Sequence, residues 1–261
     1  MQLDKKTIVV TGAASGIGYE LIKLIAQYDC AILAVDIATD SSERVAAISG
    51  KAQIVPHSAD LTTEAGVIES YDLAVEHFGI PDIYIANAGY AIYSEKTPTD
   101  WDTLERMIQV NMLAPMVAAA AMRDLHADGT DYMVAITASA QSLMSVYGYT
   151  AYAATKAALH SFAIGFRDEI EPNGHLMLVY PSSTRTNFFA KASNAPEIFP
   201  VQEADVVAKA IVDGILKNKR AVHPHPSTQL IRSSFISWLL RKILNPQHRR
   251  LLNDWKKSAL K

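Results

Sequence analysis

Apolar residues along the chain fall in short solid runs separated by longer stretches of helical spacing. Thr7–Thr11 carries Ile8, Val9 and Val10 in succession and ends in glycines, after which Tyr19, Leu21, Ile22, Leu24 and Ile25 recur at helix-like intervals. This pattern predicts strand, tight turn, helix. Ala31–Asp36 is a second buried-strand pattern, followed by the polar stretch Thr39–Arg44. Gln53–Pro56 is a third, followed by Asp60-Leu61 and a helical segment near Thr63–Phe78. Ile83–Ala86, Tyr132–Thr137 and Leu176–Tyr180 predict further strands, separated by helical stretches near Asp100–His126 and Tyr152–Ile170. Solid apolar strands alternating with helices require parallel pairing and crossover helices over the sheet. The expected fold is α/β, a doubly wound parallel sheet with helices on both faces.

No repeat of fixed period and no Gly/Ser-rich linker divides the 261 residues, so one domain is expected over 1–221, including a substrate lid near 188–200. A hydrophobic content of 49% is enough for a sizeable core. With no signal-peptide pattern and no run of eighteen uncharged apolar residues, a cytoplasmic protein is expected. Cys30, the single cysteine, excludes an internal disulfide and reads as a buried hydrophobe. Charge is unevenly spread: residues 217–261 hold 11 of the 24 Lys and Arg and one of the 27 acidic residues. A basic, aromatic-containing extension over 222–261 on an acidic body suggests an anionic partner, either a lipid surface or that body itself.

Glycines 12, 16 and 18 in Thr11-Gly-Ala-Ala-Ser-Gly-Ile-Gly18 fall between predicted strand and helix. Missing Cβ atoms let such a backbone approach a pyrophosphate, and the helix start offers unpaired N–H groups. The spacing differs from the commoner Gly-x-Gly-x-x-Gly, so the strand-turn-helix context carries the reading against that of a plain turn. Asp36 ends the second strand about twenty positions on, where a carboxylate accepts hydrogen bonds from an adenosine ribose and repels an added 2′-phosphate. NAD is therefore expected over NADP. Ser15, where a loop lysine or arginine would favour phosphate, points the same way, although Arg44 is a basic residue within possible reach.

Tyr152 and Lys156 stand four apart, so on a helix their side chains share one face and lean towards its start. A phenol with an ordinary pKa of about 10 is a poor base at neutrality, and a nearby ammonium, joined by a cationic nicotinamide, favours phenolate. The expectation is a tyrosine acidified by its lysine neighbour and usable as a general acid/base. Ser139, just past a predicted strand, is a hydroxyl suited to hold the substrate oxygen. A lone Tyr-x-x-x-Lys pair is ordinary on solvated helices; here Ser139 and the glycine loop give it meaning. Tyr147 and Tyr149 are rival phenols, but neither lies one helical turn before Lys156.

On these residues the chain resembles the short-chain dehydrogenase/reductase family, with matches from residue 7 to about residue 187. The resemblance implies a Rossmann-like single domain, NAD-linked oxidoreduction and a homodimer or homotetramer. Gly12, Ser15, Gly16, Ile17 and Gly18 would hold the cofactor with Asp36, and Asp60-Leu61 would flank its adenine. Asn87-Ala88-Gly89 would brace the central sheet beside it. Asn111 would anchor a water in a proton relay with Ser139, Tyr152 and Lys156. Lys156 would also bind the nicotinamide ribose, while Thr186, in Pro181-Ser-Ser-Thr-Arg-Thr186, would contact the carboxamide. Ala86, Ala138 and Ser182 depart from the family pattern. Of these only Ser182 lies near the nicotinamide, adding a Cβ and hydroxyl where backbone usually approaches the cofactor.

Leu143, Met144, Val146, Tyr147 and Tyr149, with the lid phenylalanines Phe188, Phe189 and Phe199, line an apolar pocket or fill core. The expected reaction is interconversion of a lipophilic secondary alcohol (steroid, retinoid or acyl-chain type) and its ketone. The alternatives are an NADPH-dependent carbonyl reductase and a non-catalytic NAD-sensing or scaffold protein. In the extension, apolar positions 231, 235, 239 and 243 share a helix face near Trp238, with Arg232 and Lys242 intruding at its sides. Such a segment is too short and charged to span a bilayer, and fits peripheral membrane contact or protein packing equally. His223 and His225 lack the Cys or carboxylate partners of a metal site, and no nucleic-acid module is recognisable.

Overall fold

The computed structural model describes residues 1–38, 42–94, 96–97, 100–170, 172–186, 188 and 200–230. In chain order the first elements are β1 (Thr7–Thr11), α1 (Gly16–Ile25), β2 (Ala31–Asp36), α2 (Ser42–Ala46), β3 (Gln53–Ser58) and α3 (Glu64–Phe78). Then come β4 (Ile83–Ala86), α4 (Trp101–Ile108), α5 (Ala114–Leu125), β5 (Tyr132–Thr137), α6 (Thr150–Glu169) and β6 (Gly174–Val179). The last are β7 (Ser183–Arg185), β8 (Val201–Glu203), α7 (Ala204–Leu216), β9 (Ala221–Val222) and α8 (Ser227–Leu230). Among the described residues seven strands form one sheet in the order β3-β2-β1-β4-β5-β6-β9, every neighbouring pair parallel. This is the doubly wound, Rossmann-like architecture expected.

Strand periodicity divides the core into two layers. Ile8 and Val10 of β1 pack with Leu21, Ile22 and Ile25 of α1 and with Val207, Ile211 and Ile215 of α7. Val9 belongs to the opposite layer, with Val67 and Ala74 of α3, Ala118 and Met122 of α5, and Leu159 and Phe166 of α6. Because both sheet faces are covered, every β1 residue is buried, which is why the strand reads as a solid apolar run. Each large side chain so buried contributes roughly 1.5–3 kcal/mol. Cys30 is a buried thiol raised to about 11 by desolvation, in keeping with a packing role.

Four expectations shift. The helical stretch over Asp100–His126 is interrupted by a π-turn at Gln109–Leu113, between α4 and α5. The helix expected from Tyr152 begins at Thr150, and β6 opens at Gly174, two residues before the expected strand. β9 spans the 221/222 position at which the extension was expected to begin, and pairs Leu178↔Ala221 and Val179↔Val222. The expected amphipathic helix of the extension lies outside the described residues, as does the 188–200 lid apart from Phe188 and Pro200. Among the described residues no helix is long and apolar enough to cross a membrane.

Candidate active site

The strand order reverses between β1 and β4, so the loops leaving their carboxyl ends diverge and leave a crevice, the place where open α/β sheets hold ligands. A cavity of about 600 Å3 occupies it. At one end are Asp36, Asp60 and Leu61; the glycine turn borders the middle; Ser139, Tyr152 and Lys156 stand at the other end.

Gly12 (φ +68°) and Gly16 (φ +55°) adopt left-handed backbone. A Cβ on Gly12 would lie 2.9 Å from the Ala88 Cα, and one on Gly18 would collide with the Gly12 carbonyl oxygen. Thr11 and Asn87 hold the turn: Thr11 Oγ1 accepts from the N–H groups of Asn87 (3.0 Å) and Ala88 (3.1 Å). Asn87 Nδ2 donates to Thr11 O (3.2 Å), and its Oδ1 accepts from Thr137 Oγ1 (3.1 Å). Asn87 thus ties together the carboxyl ends of β1, β4 and β5, the bracing that the family resemblance implies. Ser15 precedes α1 in extended backbone and its side chain makes no capping bond. The turn of glycines and small residues and the start of α1 fit a pyrophosphate. Gly18→Ala is expected to cost ten- to a hundredfold in dinucleotide affinity, the equivalent of about 1–3 kcal/mol of overpacking, measured by calorimetric titration.

Asp36 Oδ2 accepts from the Ala14 N–H (2.9 Å) and Oδ1 from the Ala38 N–H (3.1 Å), so its carboxylate is fixed at the cavity edge. Ile37 follows, 64% exposed, and lines the same end as Leu61, giving a flat heterocycle two apolar contacts. An exposed isoleucine immediately after the acidic residue was the sequence signal for this contact, and it went unread. The Arg44 guanidinium lies over the Tyr19 ring at 3.9 Å, and neither residue lines the cavity. Among the described lining residues, Lys156 alone is a lysine or arginine.

At the far end, α6 carries Tyr152 and Lys156 on one face, both buried and both lining the cavity. Lys156 Nζ lies 6.0 Å from the centroid of the Tyr152 ring and donates to Thr137 O at 2.9 Å. Burial pushes the Tyr152 phenol up to about 12, with its hydrogen bond to Ser139 opposing, and pulls Lys156 down to about 8. Loss of hydration moves both groups towards their neutral forms. Ser139 ends the loop after β5, where its Oγ accepts from the Gln141 N–H at 3.1 Å.

Asn111 is fully buried in the π-turn behind Gly89, and it does not line the cavity. Its Oδ1 accepts from Tyr90 N–H (3.0 Å), and its Nδ2 donates to Tyr90 O (2.8 Å) and Thr155 Oγ1 (3.2 Å). The carboxamide therefore clamps the 89–90 segment to α6. Gly89, Pro181 and Thr186 line the cavity, Thr186 facing Gly16. Met144, Val146, Tyr149 and Phe188 supply apolar wall; Tyr147 is not a lining residue, and Leu143 packs against core instead. Tyr149 and Phe188 set their rings edge-on to Tyr152, at 6.4 and 5.7 Å. Ser227 and Thr228, not anticipated from sequence, also reach the cavity. His223 and His225 hydrogen bond to Thr228 (3.2 Å) and Ser227 (2.7 Å).

The chain is similar to known oxidoreductases over most of its length. The oxidoreductase SadH of Mycobacterium tuberculosis is 28% identical over 238 residues, covering 84% of this chain and 86% of SadH. A short-chain dehydrogenase from Sphingobium yanoikuyae in complex with NADPH superposes with a TM-score of 0.77 at 23% identity, covering 95% of this chain and 96% of that one. A short chain dehydrogenase/reductase from Burkholderia phymatum in complex with NAD gives 0.78 at 20% identity, covering 89% and 93%. Residues 6–197 match the family described as short chain dehydrogenase, and the chain belongs to that family.

Proposed function

We propose that the protein is an NAD-dependent alcohol dehydrogenase and ketone reductase acting on a lipophilic secondary alcohol. The observation that carries this reading is one cavity with Asp36 at one end, the glycine turn along its middle and Ser139, Tyr152 and Lys156 at the other end. Bound NAD supplies the hydride acceptor, and NADH the donor in reverse. Gly12, Gly16, Gly18 and the start of α1 hold its pyrophosphate, Asp36 its adenosine ribose, Lys156 its other ribose, and Thr186 its carboxamide. Tyr152 takes the proton from the alcohol oxygen at its phenol oxygen, and Ser139 holds that oxygen in place. Asn111 is a positioning residue, keeping the 89–90 segment against α6. Met144, Val146, Tyr149 and Phe188 exclude water and favour an apolar substrate. A panel of polar and lipophilic secondary alcohols followed by NADH absorbance tests the reading; turnover confined to sugars and small polyols sinks the lipophilic assignment.

Relatives with NAD and with NADPH both resemble this chain, so the cofactor preference rests on its own residues. A 2′-phosphate about 4 Å from the Asp36 carboxylate meets a repulsion of about 4 kcal/mol at an effective dielectric of 20, nearly a thousandfold in affinity. Asp36→Asn is expected to weaken NAD modestly and tighten NADP by at least tenfold, narrowing the ratio of their dissociation constants. An unchanged ratio would remove Asp36 as the discriminator.

A further inference from the structure

We propose that Gln141 is a specificity-determining residue that reads a second hydroxyl on the substrate, a few bonds from the reacting carbon. The proposal rests on the oxidoreductase reading of the same site and names a feature of its substrate. Gln141 belongs to the short turn Ala140–Ser142 that follows Ser139, and its own N–H donates to the Ser139 hydroxyl at 3.1 Å. The turn is fixed a second time by the Ala140 N–H, which donates to Pro181 O at 2.8 Å. The Gln141 side chain therefore has a defined station beside the serine that faces the reacting oxygen.

Its surroundings make an amide an odd occupant. The neighbouring cavity wall is Met144, Val146 and Tyr149, and a leucine or methionine would continue it at no polar cost. The Gln141 Oε1 is shut away from water and has no hydrogen-bond partner among the described residues. A buried acceptor left unpaired costs stability, and on a residue that lines a cavity it is best explained by a partner that arrives with the ligand and to which the amide turns. The last side-chain torsion of a glutamine is soft, so the amide turns either its carbonyl or its amino end to the cavity. A hydroxyl satisfies both ends, donating to Oε1 or accepting from Nε2. Ser182, on the loop joined to this turn by the Ala140–Pro181 bond, lines the same cavity, and its Oγ is likewise buried with no partner among the described residues. Two residues of the cavity wall thus carry buried polar atoms without partners among the described residues, on two loops that are bonded to each other. The favoured substrate is a largely apolar molecule with a polar spot near its carbonyl, such as a hydroxyketone or the corresponding diol.

The test compares matched ketones with NADH: benzoin against deoxybenzoin, and 2-hydroxyacetophenone against acetophenone. The full-length protein is expected to favour the hydroxylated member of each pair by at least about tenfold in kcat/KM. In Gln141→Leu that preference collapses towards parity through loss on the hydroxylated ketone alone, and Gln141→Glu, which keeps an acceptor, restores part of it. Equal use of both members by the parent protein overturns the proposal, as does a preference that survives Gln141→Leu. Oxidation of simple lipophilic alcohols with no turnover of either hydroxyketone also overturns it while leaving the functional reading intact. A protein that binds NAD yet turns over none of these compounds, nor any secondary alcohol, brings down the functional reading and this proposal together.

Discussion

Tyr152→Phe is expected to lower kcat by about a thousandfold while leaving NAD affinity unchanged, the middle of the range for loss of a general acid/base. The substitution removes one oxygen and keeps the ring, so the edge-on contacts with Tyr149 and Phe188 persist and the pocket keeps its shape. What disappears is the hydroxyl that hydrogen bonds to Ser139 and carries the proton. Steady-state kinetics with calorimetric NAD titration separates the two effects, and turnover within tenfold of the parent would reassign the proton carrier. The pH dependence has a definite sign. Burial holds the free protein's phenol near 12, so phenolate is scarce at neutrality and kcat/KM for alcohol oxidation rises as pH is raised. Ketone reduction, which needs the protonated phenol, shows no such rise.

Lys156→Met is expected to abolish turnover and yet stabilise the cofactor-free protein. Lys156 is 4% exposed and has no carboxylate partner among the described residues; its ammonium donates to the Thr137 carbonyl. A shift from 10.5 in the unfolded chain to about 8 in the fold corresponds to about 3 kcal/mol of destabilisation at pH 7, partly offset by the lost hydrogen bond. The unfolded state binds the extra proton between about pH 8 and 10.5, so parent stability climbs with pH across that window and the advantage of the variant shrinks. Ionisation of Tyr152 in the unfolded chain works the other way above pH 10. Chemical denaturation of both proteins at pH 7 and pH 10 reads the difference; a variant less stable than the parent at pH 7 would show that Lys156 is not strained by its burial. An active site that carries a buried cation at a cost to folding is the expected compromise between stability and chemistry.

The strands and the glycine turn were legible because their signals are local. β1, β4 and β5 bury both faces and therefore read as unbroken apolar runs, with Gly12 and Gly18 marking where backbone must pass close to backbone. β7, β8 and β9 were not legible: runs of two or three residues carry no period, and they exist only because partners such as Val179 and Glu203 are brought alongside. In the site, residue types were readable and electrostatic balance was not. The i, i+4 spacing placed Tyr152 and Lys156 together, but whether a phenol is acidified or held neutral depends on how much water the fold removes. Thr137 escaped notice because it acts through a carbonyl that every residue has. Asn111 was identified by resemblance, while its contacts with Tyr90 and Thr155 depend on a turn that sequence periodicity does not announce.

That wide turn at 109–113 makes the two halves of the helical stretch independent in phase. A regular α-helix rotates each successive residue by about 100°, so the same sequence wound without the extra residue would swing the asparagine away from Tyr90 and leave α5 facing the sheet with a different stripe. Anyone grafting this centre onto another scaffold would have to transplant the slip in winding along with the side chains, because the arrangement lives in the backbone's count as much as in its chemistry.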